Sequence, residues 1–175
     1  GVFNPSSETL VEYTVPSRNP NWADCEGIDY CGVAQVFDFV AYGEKIWFTE
    51  WVENNIGVVD TSIPLPFSID IDTKEITLKK GETAVVTLQV TKKARSQAEW
   101  SEYMEPLNVN YSSTSTFSDI VIKPEWNNYT LSDQVTTISV EITASEHALS
   151  GTHKVLLGGY TDDIAISKFI TVTIV

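Results

Sequence analysis

Thr83 to Thr91 reads TAVVTLQVT, and Val135 to Thr143 reads VTTISVEIT. In both, apolar and polar residues alternate with a period of two. That pattern puts one face of an extended strand in a core and the other in water. Working outward, further strand candidates are Phe67 to Asp72, Glu75 to Leu78, Leu107 to Ser112, Phe117 to Ile122, His153 to Tyr160 and Ile164 to Val175. Lys80-Gly81-Glu82, Ser150-Gly151 and Thr161-Asp162-Asp163 supply turns between them. Roughly eight strands in about 110 residues, spaced by turn signals, describe an immunoglobulin-like β-sandwich over 67–175. One insertion reads as helix: Ser96 and Glu99 make a capping box, and Pro106 stops the run begun at Ser96.

Residues 1–66 are also strand-rich but differ in texture. Leu10 to Val15 reads LVEYTV and Val33 to Tyr42 reads VAQVFDFVAY. Gly43-Glu44 turns the chain into Ile46 to Trp51, and Asn54-Asn55 turns it into Ile56 to Asp60. Short β-rich runs separated by brief turns form a meander. Pro64 and Pro66 interrupt the pattern. Charge changes at the same place: residues 1–66 hold ten acidic and two basic residues, and residues 67–175 hold fourteen and nine. The boundary is therefore placed between 66 and 67. The fold class expected is all-β, in two parts.

The 175 residues carry a formal net charge of −13, which repels phosphates and excludes nucleic acid as a partner held by bulk charge. Apolar residues are 42% of the chain, enough for a core. No run of apolar residues is long enough for a membrane-spanning helix. The chain begins at Gly1 without a charged-then-apolar leader, which reads as a processed or cut product. Cys25 and Cys31 lie in CEGIDYC with no histidine nearby in sequence. A local disulfide is the favoured reading, with two free thiols in an intracellular protein as the alternative. Asn110-Tyr111-Ser112 and Asn128-Tyr129-Thr130 are glycosylation sequons. Together with a disulfide and an acidic surface, they favour an extracellular or cell-surface glycoprotein.

Gly43 to Asp60 reads GEKIWFTEWVENNIGVVD. This resembles the repeat of the streptogramin-lyase-like (virginiamycin B lyase-like) β-propellers, in which a turn leads into I/L-W-F-T-E, then an Asn, then I-G and an Asp. Ile46, Trp47, Phe48, Thr49, Glu50, Asn55, Ile56, Gly57 and Asp60 carry the likeness. LVEYTVP at Leu10 to Pro16 resembles the family's outer strand, and GVFNP at Gly1 to Pro5 resembles the end of a preceding blade. The resemblance implies that residues 1–66 are the last one and a half blades of a propeller, with a fourth strand near Ile63 to Phe67. A blade and a half cannot close a ring. The implied partners are therefore the remaining blades or other copies of the chain. More loosely, Ile76-Thr77-Leu78 with Lys80-Gly81-Glu82, and Ala148 to Val155, resemble immunoglobulin-like modules appended to archaeal and bacterial surface proteins and glycosidases.

The lyases of this family use His and Glu with magnesium. Residues 1–66 contain no histidine, so no catalytic residue is carried over. Glu50, like Trp47, Phe48, Thr49, Asn55 and Gly57, is read as a structural residue of the blade motif. Asp70, Asp72, Asp119, Asp162 and Asp163 are acids that calcium or magnesium could use, yet no ligand spacing marks a metal site. His147 and His153 read as surface or turn residues. Trp22, Trp47 and Trp51 read as blade packing before a carbohydrate platform. No cofactor is expected. The favoured function is a non-enzymatic binding or structural module, the C-terminal part of a secreted or surface propeller protein, with a surface ligand as a further partner. One alternative is part of a lyase-like enzyme whose catalytic residues lie outside this chain. Another is an assembly subunit joined by strand exchange, motivated by the long apolar run Ile164 to Val175.

Overall fold

The structure is a computed structural model that describes residues 1–15, 36–50, 54–93, 107–115, 119–131 and 135–175. Cys25, Cys31, Trp22, Trp51 and the helix expected over 96–105 lie outside the described residues. Every element among the described residues is a β-strand, and the protein is all-β. In chain order these are β1 (Val2–Asn4), β2 (Thr9–Tyr13), β3 (Val36–Tyr42), β4 (Lys45–Glu50), β5 (Asn55–Asp60), β6 (Phe67–Ile71) and β7 (Glu75–Leu78). They continue as β8 (Thr83–Lys92), β9 (Leu107–Ser115), β10 (Ile120–Pro124), β11 (Asn128–Leu131), β12 (Thr136–Ala144), β13 (Gly151–Tyr160) and β14 (Ile164–Ile174).

Two compact units result: Gly1–Glu12 with Leu65–Val175, and Tyr13–Pro64. The first is a two-sheet sandwich of immunoglobulin-like character. One sheet runs β10-β12-β8-β6, and the other β1-β2-β14-β13-β9-β11, with β7 on β14. The alternation read in the sequence sets the inward faces. Val86, Leu88 and Val90 of β8 and Ile138, Val140 and Ile142 of β12 are fully buried. They meet in register, with Val86 opposite Val140 and Leu88 opposite Ile138. Phe67 and Ile69 extend this face along β6, while Val155, Leu157, Ile166, Ile170 and Val172 build the facing one. Lys168 Nζ on β14 donates to Asp70 Oδ1 on β6 at 2.8 Å and ties the sheets across their rim.

β13 departs from simple alternation. Leu157, Gly158 and Gly159 are buried in succession. A Cβ on Gly159 would lie 2.6 Å from both the Tyr129 hydroxyl and Val109 Cγ1, so only a bare backbone leaves room for that ring.

Three expectations differ from the structure. Ile164 to Val175 is not an open edge: β14 pairs with β13 along one side, and β2 and β7 share the other. Its apolar character is that of an interior strand buried on its inner face. Residues 1–12, expected in a preceding blade, belong to the sandwich sheet. Phe169 N–H donates to Glu8 O at 3.1 Å, Lys154 Nζ reaches Glu8 Oε1 at 2.9 Å, and the Phe3 and Phe169 rings meet edge to face at 5.8 Å. The fourth blade strand near Ile63 to Phe67 is also not in the meander. Phe67 instead opens β6, opposite Lys92 of β8.

Candidate functional site: the three-stranded meander and the Glu50 cleft

The second unit contains the sheet β3-β4-β5. Its turns follow from local chemistry. Gly43 adopts φ 60° and Asn54 φ 55°, the left-handed region that glycine and asparagine tolerate best. Thr61 closes the far end, its N–H and Oγ1 both donating to Glu44 O at 2.7 and 2.8 Å. Asp60 accepts from Ser62 N–H at 3.0 Å and lies 3.9 Å from Lys45 Nζ. The hydrogen bonds from Ser62 hold the Asp60 carboxyl below its ordinary pKa.

The W-F-T-E and I-G residues each acquire a physical task. Phe48 and Gly57 are directly opposed, and a Cβ on Gly57 would collide with the Phe48 ring. The glycine is thus the floor on which the ring lies, which buries Phe48 to 9% exposure. Thr49 serves the irregularity between Val36 and Phe39, where β3 slips register against β4. Its Oγ1 accepts from Asp38 N–H at 3.2 Å, satisfying a donor the ladder leaves open. Trp47 lies on the opposite face, in the cross-strand row Val40, Trp47, Val58. That row is exposed, as are Tyr42 and Ile56 on the same face.

Glu50 stands apart. It ends β4 opposite Asn55 and is only 2% exposed. Its Oε2 has no hydrogen-bond partner among the described residues. Beside it is a cleft of about 520 Å³ lined by Phe37, Thr49, Glu50, Asn54, Asn55 and Ile56. The sequence marked Glu50 as a strand-end motif residue. Its deep burial is a tertiary fact that no local pattern reveals.

The other marked residues do not gather. Asp70 is held below its ordinary pKa by the Lys168 ammonium. Asp72 is raised by burial, but the hydrogen bonds it accepts, Thr87 N–H at 2.9 Å foremost, bring it below normal. Asp119 Oδ2 accepts from Leu149 N–H at 3.4 Å, and His153 Nε2 lies 3.0 Å from Leu149 O. His153 is 7% exposed, a buried residue where a surface or turn histidine was expected. Among the described residues no three His, Cys, Asp or Glu side chains group as metal ligands. The two sequon asparagines are brought together: Asn128 and Asn110 are cross-strand partners, and Asn128 Nδ2 donates to Asn110 Oδ1 at 2.7 Å. Thr130 of the second sequon donates to Asn108 Oδ1, also at 2.7 Å.

No family model matches this chain, and no curated protein matches it. Among solved structures it is similar to the S-layer protein rSbsC(31-844), with a TM-score of 0.44 and 11% identity. That alignment covers 75% of this chain and 16% of the other. No helix among the described residues is long and apolar enough to cross a membrane.

Proposed function

We propose that the chain is a non-enzymatic structural and binding module of an extracellular or cell-surface protein, in which the meander docks against further β-sheet. Remaining blades of a lyase-like propeller would supply that sheet, or other copies of the chain. The observation that carries the reading is the exposed row Val40, Trp47 and Val58, with Tyr42 82% and Ile56 75% exposed on the same face. Large apolar side chains aligned on one face of a small sheet mark a surface that gains by being covered, at about 25 cal/mol per Å² buried. The extracellular placement is supported by the two sequons and by the CEGIDYC pair.

Sedimentation of the full chain tests the docking reading. In about 1 M salt the Debye length falls to about 3 Å, which removes most of the repulsion between copies. The wild-type chain is expected to self-associate there. A Trp47→Ser, Val58→Thr double variant is expected to stay monomeric. A wild-type chain that remains monomeric at millimolar concentration, or a variant that associates equally, overturns the reading.

A further inference from the structure

We infer that the Glu50 cleft, at the Asn54-Asn55 end of the meander, receives a cationic side chain, lysine or arginine, from the partner that docks there. This rests on the docking reading above and adds the chemistry of the partner. Three observations converge on it. First, Glu50 is 98% buried while its Oε2 lacks a hydrogen-bond partner among the described residues. A buried carboxylate oxygen without a donor has lost hydration, and a donor brought to it recovers that loss. Second, the carboxylate lines a cleft with the Asn54 and Asn55 amides and Thr49 around it, and Phe37 and Ile56 beside it. An alkyl stem can lie on the apolar walls while its charged head reaches the carboxylate, as lysine and arginine side chains do. Third, residues 13–64, the unit that contains the meander, hold eight acids against two bases. That field attracts a basic partner and opposes a second copy of this chain at ordinary salt. A hard divalent cation is poorly served here, because it needs six or more oxygen ligands and Glu50 is the one carboxylate among the described lining residues.

The test uses the intact chain and N-acetyl-arginine methylamide, with the uncharged N-acetyl-citrulline methylamide as its isosteric control. Binding is read by NMR at the Asn54 and Asn55 side-chain amides and the Ile56 backbone amide. The arginine probe is expected to give saturable shifts there, and the citrulline probe none. Glu50→Gln, which keeps shape and removes charge, is expected to weaken arginine binding about tenfold or more. The same variant is expected to melt no lower than wild type, since a neutral amide costs less to bury than a carboxylate. Equal response to both probes, no saturable response to arginine, or unchanged binding in Glu50→Gln overturns the inference. So does saturation of these signals by magnesium alone. If the arginine probe fails while Trp47→Ser, Val58→Thr still abolishes association, the docking reading stands and this inference falls.

Discussion

Phe48 over Gly57 shows how one residue sets the identity of another. The ring occupies the space a methyl group would need, so Gly57→Ala forces either the ring or the strand to move. A loss of about 1–3 kcal/mol in the meander is expected, read by faster amide exchange in β4 and β5. Adding Phe48→Leu to Gly57→Ala should return part of that loss, because the two sites share the same space. Tyr129 offers a second case at this scale. Its ring is buried, and its hydroxyl has no hydrogen-bond partner among the described residues. Tyr129→Phe is therefore expected to be neutral or to stabilise by up to about 1 kcal/mol. Burial pushes the Tyr129 phenol up, and it pushes Tyr111 up to about 12. Both folded values exceed the unfolded value of about 10, so the native state holds its protons more tightly. Their contribution is complete below about pH 10 and is lost as pH rises from there toward about 12. Urea midpoints at pH 9 and pH 11 should fall in wild type and fall less in a Tyr111→Phe, Tyr129→Phe double variant.

Single strands were the most legible elements. In β8 and β12 one face is dry and the other wet, so the period of two survives in the sequence and names the core directly. Val140 has no exposed surface and lies between Val86 and Pro124 on its two neighbours. Val140→Asp should cost more than about 3 kcal/mol, as an unpaired buried charge does. A thermal melt equal to that of wild type would refute the assigned register. β13 was legible as a strand but not in its packing, because Gly158-Gly159 serves the Tyr129 ring from another strand. The meander motif was legible as hairpins for the same reason that β8 was, since its turns and its Phe48/Gly57 and Thr49/Asp38 pairs are local. The burial of Glu50 was not, because motif position says nothing of solvent access. Nor was the destination of β1 and β2: alternation identifies a strand, but its partner is chosen by surfaces far away in sequence.

For the whole molecule, that distant pairing decides where the sandwich ends. β2 shares one side of β14 with β7, and Phe3 packs against Phe169. A chain of residues 65–175 retains both inner faces and is expected to fold, but with part of the β14 ladder unpaired. It should melt below the full chain and self-associate through that exposed edge. The lost ring contact alone is worth about 0.5–1.5 kcal/mol. Melting curves and sedimentation of the two chains side by side check this. Equal stability and a monomeric fragment would show that the hairpin adds nothing to the sheet.

The pairing of Glu8 with Lys154 spans 146 residues, and the whole of Tyr13–Pro64 is spliced between the two parts of the sandwich. During translation β2 leaves the ribosome long before β14 exists. The nascent chain must hold a bare hairpin while the meander and eight more sandwich strands emerge. Closing so long a loop is slow, because its entropy must be spent before any contact repays it. The acidic excess of residues 1–66 keeps like-charged nascent chains apart during that interval, when an unpaired strand would otherwise find the wrong neighbour.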